Sequence, residues 1–224
     1  MDIRTEEAST GRLSGLRIGY IVYDSIHVAK ASATVDALVE AALNDARARF
    51  PGTDSISKDP VIRGIRRLFS NAGTDPTKER PSGEALIRRV VSGQGLCRIN
   101  CVVDANNAIS IMSGCPCGVY DLGRIKGGIV VAVGKEGDSY EGIGGRTVNA
   151  CGRLVTRDEE SIFGAPTADS KRTCVGPETK NLLMLIYHFD APPESLASAM
   201  EHAKKAMESA TGGRRSESGI YEVR

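Results

Sequence analysis

Between Arg98 and Asp121 the chain runs RINCVVDANNAISIMSGCPCGVYD, a stretch that gathers small and polar side chains. Asn100, Asp104, Asn106 and Asn107 fall where a loop enters a helical pattern. Free backbone N–H groups at a helix start, together with amide side chains, can hold a polar ligand. The same residues have a plainer reading, in which Asp104 caps a short helix over 105–112, Gly114 closes it and the asparagines are solvated. Further on, EGIGG brings together Gly142, Gly144 and Gly145. That grouping permits positive φ or close ligand approach, and it also describes an ordinary turn. No GxGxxG or GxxxxGK[ST] occurs, so neither a dinucleotide nor a nucleoside triphosphate has a motif to bind. GxSxG, HExxH and a Ser/His/Asp signal are missing too.

Six cysteines stand at 97, 101, 115, 117, 151 and 174. Cys97, Cys101, Cys115 and Cys117 would make a CxxxC and CxC set for zinc. The usual knuckle is CxxC, and no histidine lies nearby, so buried free thiols are the better expectation. Nothing in the chain calls for a cofactor. Residues 58–98 carry nine Lys and Arg against four Asp and Glu. Such a segment can follow a phosphate backbone, or it can be two solvated helix faces.

The elements that must position these residues can be read from periodicity. LRIGYIVY at 16–23 alternates and reads as a strand, as do IVVAV at 129–133 and, most strongly, LLMLIYHF at 182–189. Helices are expected from Ser32 or Thr34 to about Phe50, from the Asp59-Pro60 cap onward, from Ser82, and over about 194–210. Weaker strands fall at 139–143, entered by a hairpin-like turn at 135–138, and at 153–156. Residues 1–15 read as a flexible lead, 16–211 as a single domain and 212–224 as a flexible tail. Strands and helices do not alternate as βαβ units, so the fold class is an α/β sandwich with a mixed or antiparallel sheet flanked by helices.

Composition sets the outer limits. The 224 residues are 41% hydrophobic and only 4% aromatic, without tryptophan, so the core must be mainly aliphatic. A net charge of +1 excludes nucleic-acid binding by bulk charge but leaves room for a local basic face. No apolar run approaches the roughly 18 residues of a membrane span. The polar N-terminus is neither a secretory signal nor a transit peptide, so a cytoplasmic protein without a membrane partner is expected.

The stretch GTDPTKERPSGEALIRRVVSGQGLCRINCVVDANNAISIMSGCPCGVYDLGRIKGG resembles a free-standing B3/B4 domain. That is the module of the phenylalanyl-tRNA synthetase beta chain that edits mischarged tRNA. The residues carrying the resemblance are Arg98, Asn100, Val103-Asp104, Asn106-Asn107, Gly114, Pro116 and Tyr120-Asp121, followed by Thr179, Asn181 and Leu182 at the domain's end. The resemblance covers about 16–211 and is most specific in its middle third. It implies a B3/B4-like fold and a pocket for the 3′ aminoacyl end of a tRNA, with RNA and not DNA as the partner. A held water would attack the ester carbonyl, driven by positioning and by stabilisation of the developing oxyanion.

On that resemblance Asn106, Asn107, Ser170 and Thr173 are the expected catalytic residues. Asn100, Asp104, Gly118, Tyr120, Gly144, Gly145 and Asp169 are the expected substrate-binding set, with Asp104 buttressing its loop. Arg66, Arg67, Arg88 and Arg89 would meet tRNA phosphates. The chain departs from the synthetase pattern where Gly118 replaces a histidine, which is expected to enlarge the pocket, and where Cys101 replaces a proline. Three readings follow: a trans-editing aminoacyl-tRNA deacylase, a non-catalytic module that binds tRNA or an amino acid, and a structural domain. Convergence of Asn107, Gly144 and Ser170 on one open cavity would keep the first two, and separate packing of the three would favour the third.

Overall fold

The computed structural model describes residues 1–224 as two four-stranded sheets and a layer of helices. The strands are β1 (Ile3–Thr5), β2 (Arg17–Asp24), β3 (Cys117–Asp121), β4 (Ile129–Val133), β5 (Ser139–Glu141), β6 (Thr147–Asn149), β7 (Leu154–Arg157), β8 (Ile162–Gly164), β9 (Leu182–His188) and β10 (Arg214–Glu222). The helices are α1 (Thr10–Leu13), α2 (Ala33–Arg49), α3 (Thr53–Ile56), α4 (Pro60–Ala72), α5 (Ser82–Val91), α6 (Cys101–Ser113) and α7 (Pro193–Thr211). One sheet has the order β1-β4-β7-β8 and the other β10-β2-β9-β3, with β5 and β6 forming a separate hairpin. Every pairing is antiparallel except β1 with β4. The expected mixed α/β sandwich is what forms.

Strand alternation sorts the core into two layers. From β2 and β9, Ile21, Tyr23, Leu182, Met184 and Ile186 turn toward α2, α6 and α7 in a cluster of 31 buried residues. Ile18, Val22, Leu183, Leu185 and Tyr187 turn the other way, onto Val131, Val133, Leu154 and Phe163 of the second sheet. The central strand β9 is therefore buried along its whole length, which explains its unbroken apolar run.

Local signals set several helix ends. Asp59 accepts from the backbone N–H of Val61 and Ile62 at 3.0 and 3.2 Å, and Pro60 occupies the first helical position of α4. α6 begins earlier than expected. Its cap is Asn100, whose Oδ1 accepts from Val102 and Val103 at 3.1 and 2.9 Å, while Asp104 lies inside the first turn.

Three expectations are corrected. The lead at 1–15 is ordered: β1 pairs in parallel with β4, Leu13 is fully buried, and Ser9 Oγ accepts from the Val133 backbone N–H at 2.9 Å. The tail is strand β10, which pairs with β2 from Arg214 to Glu222 through one bulge. Its sequence, RRSESGIYE, shows no apolar alternation because both its faces are largely exposed, so backbone pairing and not burial holds it. The turn at 135–138 is not a hairpin, since β4 pairs with β7 and β1 while β5 pairs with β6. No helix is long and apolar enough to cross a membrane.

Candidate functional site

A cavity of about 290 Å³ opens where β3, the edge strand of one sheet, meets α6 and the segment after β8. From α6 it receives Val103, Asn106 and Asn107, and from β3 Cys117 and Val119. The segment after β8 contributes Ala165, Thr167, Ala168 and Asp169, with Cys174 and Val175 beyond it. Ser82, Ile99 and Ile143 complete it, the two isoleucines being 54% and 58% exposed, two of only four large apolar side chains that solvent reaches to that extent. The wall is mostly apolar, and its polar groups are few and placed on different elements, the usual make-up of a small-ligand site.

Asn106 and Asn107 both reach this cavity, as expected. Asn106 is buried and its Nδ2 donates to the Cys117 carbonyl at 3.2 Å, which ties α6 to β3. Its Oδ1 is a buried acceptor without a partner, and Thr167 Oγ1 is in the same condition. Unpaired buried polar atoms are uncommon, and here two belong to residues lining one cavity. Asn107, half-buried, leaves its amide free of protein partners.

Asp169 is the third expected residue present. Its Oδ1 accepts from Tyr120 Oη at 2.7 Å, and no protein group meets Oδ2. Burial pushes this carboxyl up to about 7, against the opposing effect of the Tyr120 hydrogen bond. Cys117 also lines the cavity, and burial raises its thiol well above the ordinary range, so it stays protonated.

Tyr120 does not itself line the cavity. It is fully buried, packed edge-on against Phe163 at 4.9 Å between ring centroids, and acts only through Asp169. Gly118 explains how it fits. A Cβ on Gly118 would stand 2.2 Å from Tyr120 Oη, and one on Gly164 2.3 Å from it. The missing side chain at 118 is thus filled by the Tyr120 hydroxyl, and the expected enlargement of the pocket does not occur. Gly118→Ala is expected to displace that ring and lower stability by about 1–3 kcal/mol, as overpacking does. Thermal unfolding checks it, and an unchanged midpoint would mean that the ring can move at no cost.

Other expected residues have structural duties. Ser170 Oγ accepts from the Arg172 backbone N–H at 3.2 Å, and Thr173, fully buried, donates its hydroxyl to the Phe163 carbonyl at 3.3 Å. Neither lines the cavity, because both close the 3-10 turn that follows Asp169. Gly144 and Gly145 lie in the turn between β5 and β6, where only the neighbouring Ile143 reaches the site. Asn100 is occupied as a cap. Asp104 is a buttress, as expected, accepting from Arg98 Nε at 2.8 Å and from the Ile99 backbone N–H at 2.9 Å. So the expected convergence of Asn107, Gly144 and Ser170 is not met, and only Asn107 lines the cavity. Asn106 and Asp169 converge with it instead.

Each of the four arginines has a protein partner. Arg66 Nη1 meets both oxygens of Glu84 at 3.0 and 3.1 Å, Arg88 Nε meets Glu84 Oε1 at 2.7 Å, and Glu84 is fully buried. Arg67 pairs with Asp190, and Arg89 Nε donates to the Gly95 carbonyl at 2.6 Å. Arg66 and Arg88 cannot also be free phosphate ligands without leaving a buried charge unpaired.

Of the lining residues, sequence reasoning anticipated only Asn106, Asn107 and Asp169 as site residues and missed the others, Thr167, Ile99 and Ile143 among them. Only Ile99 and Ile143 carried a signal, as lone large apolar residues in polar loops. All six cysteines are free thiols, but only Cys101, Cys115 and Cys117 are buried as expected: Cys97 and Cys151 are exposed and Cys174 half-buried, because they stand in surface loops. No cluster of His, Cys, Asp or Glu is arranged to hold a metal. The motif residues Asp121 and Thr179 meet at 2.8 Å, which fastens the end of β3 to the entry of β9.

A two-sheet α/β module with one mixed apolar and amide-lined cavity is thereby defined. The family model of the B3/4 domain matches residues 64–211, and the chain belongs to that family. The phenylalanine–tRNA ligase beta subunit of Leifsonia xyli subsp. xyli is 30% identical over 132 residues, covering 58% of this chain and 15% of the relative. That of Bartonella henselae is 32% identical over 99 residues, covering 43% and 12%. The chain therefore spans only a small part of the length of these relatives. A solved N-terminal fragment of the phenylalanyl-tRNA synthetase beta subunit from Pyrococcus horikoshii overlays with a TM-score of 0.48 at 12% identity, covering 96% of this chain and 50% of the fragment.

Proposed function

We propose that the chain is a trans-editing deacylase, which hydrolyses the ester joining a wrong amino acid to tRNA, in the cytoplasm. The observation that carries this reading is the meeting of Asn106, Asn107 and Asp169 in one cavity of a B3/4 family member. The aminoacyl group enters between α6 and the segment after β8, and the apolar wall receives its side chain. The free amide of Asn107 donates to the carbonyl oxygen as it gains charge. Such a donor acts mainly on the transition state, because its hydrogen bond strengthens as the oxyanion forms.

The test is release of amino acid from a panel of correctly and wrongly charged tRNAs. Asn107→Ala is expected to lower deacylation by about tenfold or more, with tRNA binding little changed, on the scale of a lost oxyanion donor. Unchanged turnover would remove Asn107 from the mechanism. Saturable tRNA or amino-acid binding with no release from any substrate would instead support a non-catalytic binding module.

A further inference from the structure

Resting on the deacylase reading, we propose that Asp169 is the general base of the site, with its free Oδ2 taking the proton of the attacking water and Tyr120 holding Oδ1. No other carboxylate and no Lys, Arg or His lines this cavity: its remaining polar groups are amides, hydroxyls and thiols. Asp169 keeps partial exposure on a residue that lines the cavity, while its Oδ1 is fixed at 2.7 Å by a phenol buried from solvent. One oxygen is thus anchored and the other is free, the arrangement a positioned base requires.

The hydroxyls of the two expected catalytic residues are already engaged, since Thr173 is turned to the Phe163 carbonyl and Ser170 caps a turn. The hydroxyls that do line the cavity, on Ser82 and Thr167, have no carboxylate's capacity to take a proton near neutral pH. The groups around the Asp169 carboxyl are three buried phenols, Tyr120 on β3, Tyr140 on β5 and Tyr187 on β9, and no cation adds to them. Burial accordingly favours the protonated acid and brings its titration close to neutral pH, where a carboxylate both exists and has appreciable proton affinity.

The step balances as follows. A lone pair of water forms the bond to the ester carbonyl carbon while its proton passes to Asp169 Oδ2. The carbonyl π pair moves to oxygen, which Asn107 stabilises. The tetrahedral intermediate then collapses, its carbon–ribose oxygen bond breaks, and Asp169 returns the proton to that ribose oxygen. Free amino acid and a tRNA with a 3′-terminal hydroxyl result, and the new carboxylic acid loses its own proton to solvent.

The test uses the full chain and the charged tRNA that the panel shows it to hydrolyse fastest, with spontaneous ester hydrolysis subtracted at each pH. Wild-type kcat/KM is expected to fall tenfold per pH unit below an acid limb near pH 7. Asp169→Asn keeps the shape and an acceptor for Tyr120, and should lower the rate about a hundredfold and abolish the limb. Tyr120→Phe removes a hydrogen bond that favours the ionised form, so the limb should move to higher pH. Hydrolysis by Asp169→Asn within about threefold of wild type, with the same limb, would overturn the base and leave the deacylase reading standing. A limb that Tyr120→Phe leaves in place would likewise overturn it, since a merely structural Asp169 would not set the profile. Absence of hydrolysis by the wild-type chain across the whole panel would overturn the deacylase reading, and the base with it.

Discussion

Glu84→Ala is expected to cost about 3–5 kcal/mol of stability, the range found when one partner of a buried ion pair is removed. Glu84 has no solvent exposure, and its carboxylate is the shared acceptor of Arg66 from α4 and Arg88 from its own helix. The arginine side chains retain 21% and 24% exposure, so partial solvation holds the effect toward the lower end. For a chain of this length that is a fall of roughly 6–12 °C in Tm. A triple variant, Glu84→Leu with Arg66→Met and Arg88→Met, should recover most of the loss, because no charge is then left buried alone. Were the arginines phosphate ligands and not partners of Glu84, Glu84→Ala would leave Tm unchanged and tighten RNA binding. Thermal unfolding with a salt titration of RNA binding separates the two.

Gly64→Ala is the second large effect, and here two contributions oppose each other. In an exposed helix interior the change would gain about 1 kcal/mol from helix propensity. A Cβ at this position of α4, however, would stand 1.9 Å from the Phe189 carbonyl oxygen and 3.2 Å from that of Asp190. Backbone atoms cannot rotate away as a side-chain tip can, so α4 must lift from the end of β9. That overpacking is expected to cost about 3 kcal/mol or more and to outweigh the propensity gain. Chemical denaturation gives the sign directly. A more stable variant would show that the helix can shift without cost.

Both predictions bear on the site through the scaffold. Glu84 clasps α4 to α5, and Gly83 beside it would place a Cβ 2.8 Å from the Gly114 carbonyl at the end of α6, the helix that carries Asn106 and Asn107. Loss of the clasp should therefore disturb the cavity as well as stability. Arg66 and Arg88, noticed for their charge, serve the site by fixing α4 and α5 through Glu84.

Much of the architecture lay in the sequence itself. Apolar residues at helical spacing marked α2, α4, α5 and α7, and Asp59-Pro60 fixed the start of α4, because caps and amphipathic faces are local properties. The unbroken run of β9 required a strand covered on both faces. The motif from Arg98 to Asp121 pointed to the family and to Asn106 and Asn107, while Asp169 came only from the resemblance, with Ser170 and Thr173 beside it. Tertiary structure alone decided the rest, since each remaining role depends on a partner distant in the chain. β10 exists because β2 offers it an open edge, and no periodicity within RRSESGIYE records that edge. Tyr120 reaches Asp169 across 49 residues and lies in the space that Gly118 leaves, so neither residue's sequence neighbours disclose the contact. The charge of Arg66 and Arg88 was legible, but its cancellation by Glu84 depended on how α4 and α5 pack. Local sequence encodes which face of an element is buried, while the identity of what lies against that face is set only when the layers close.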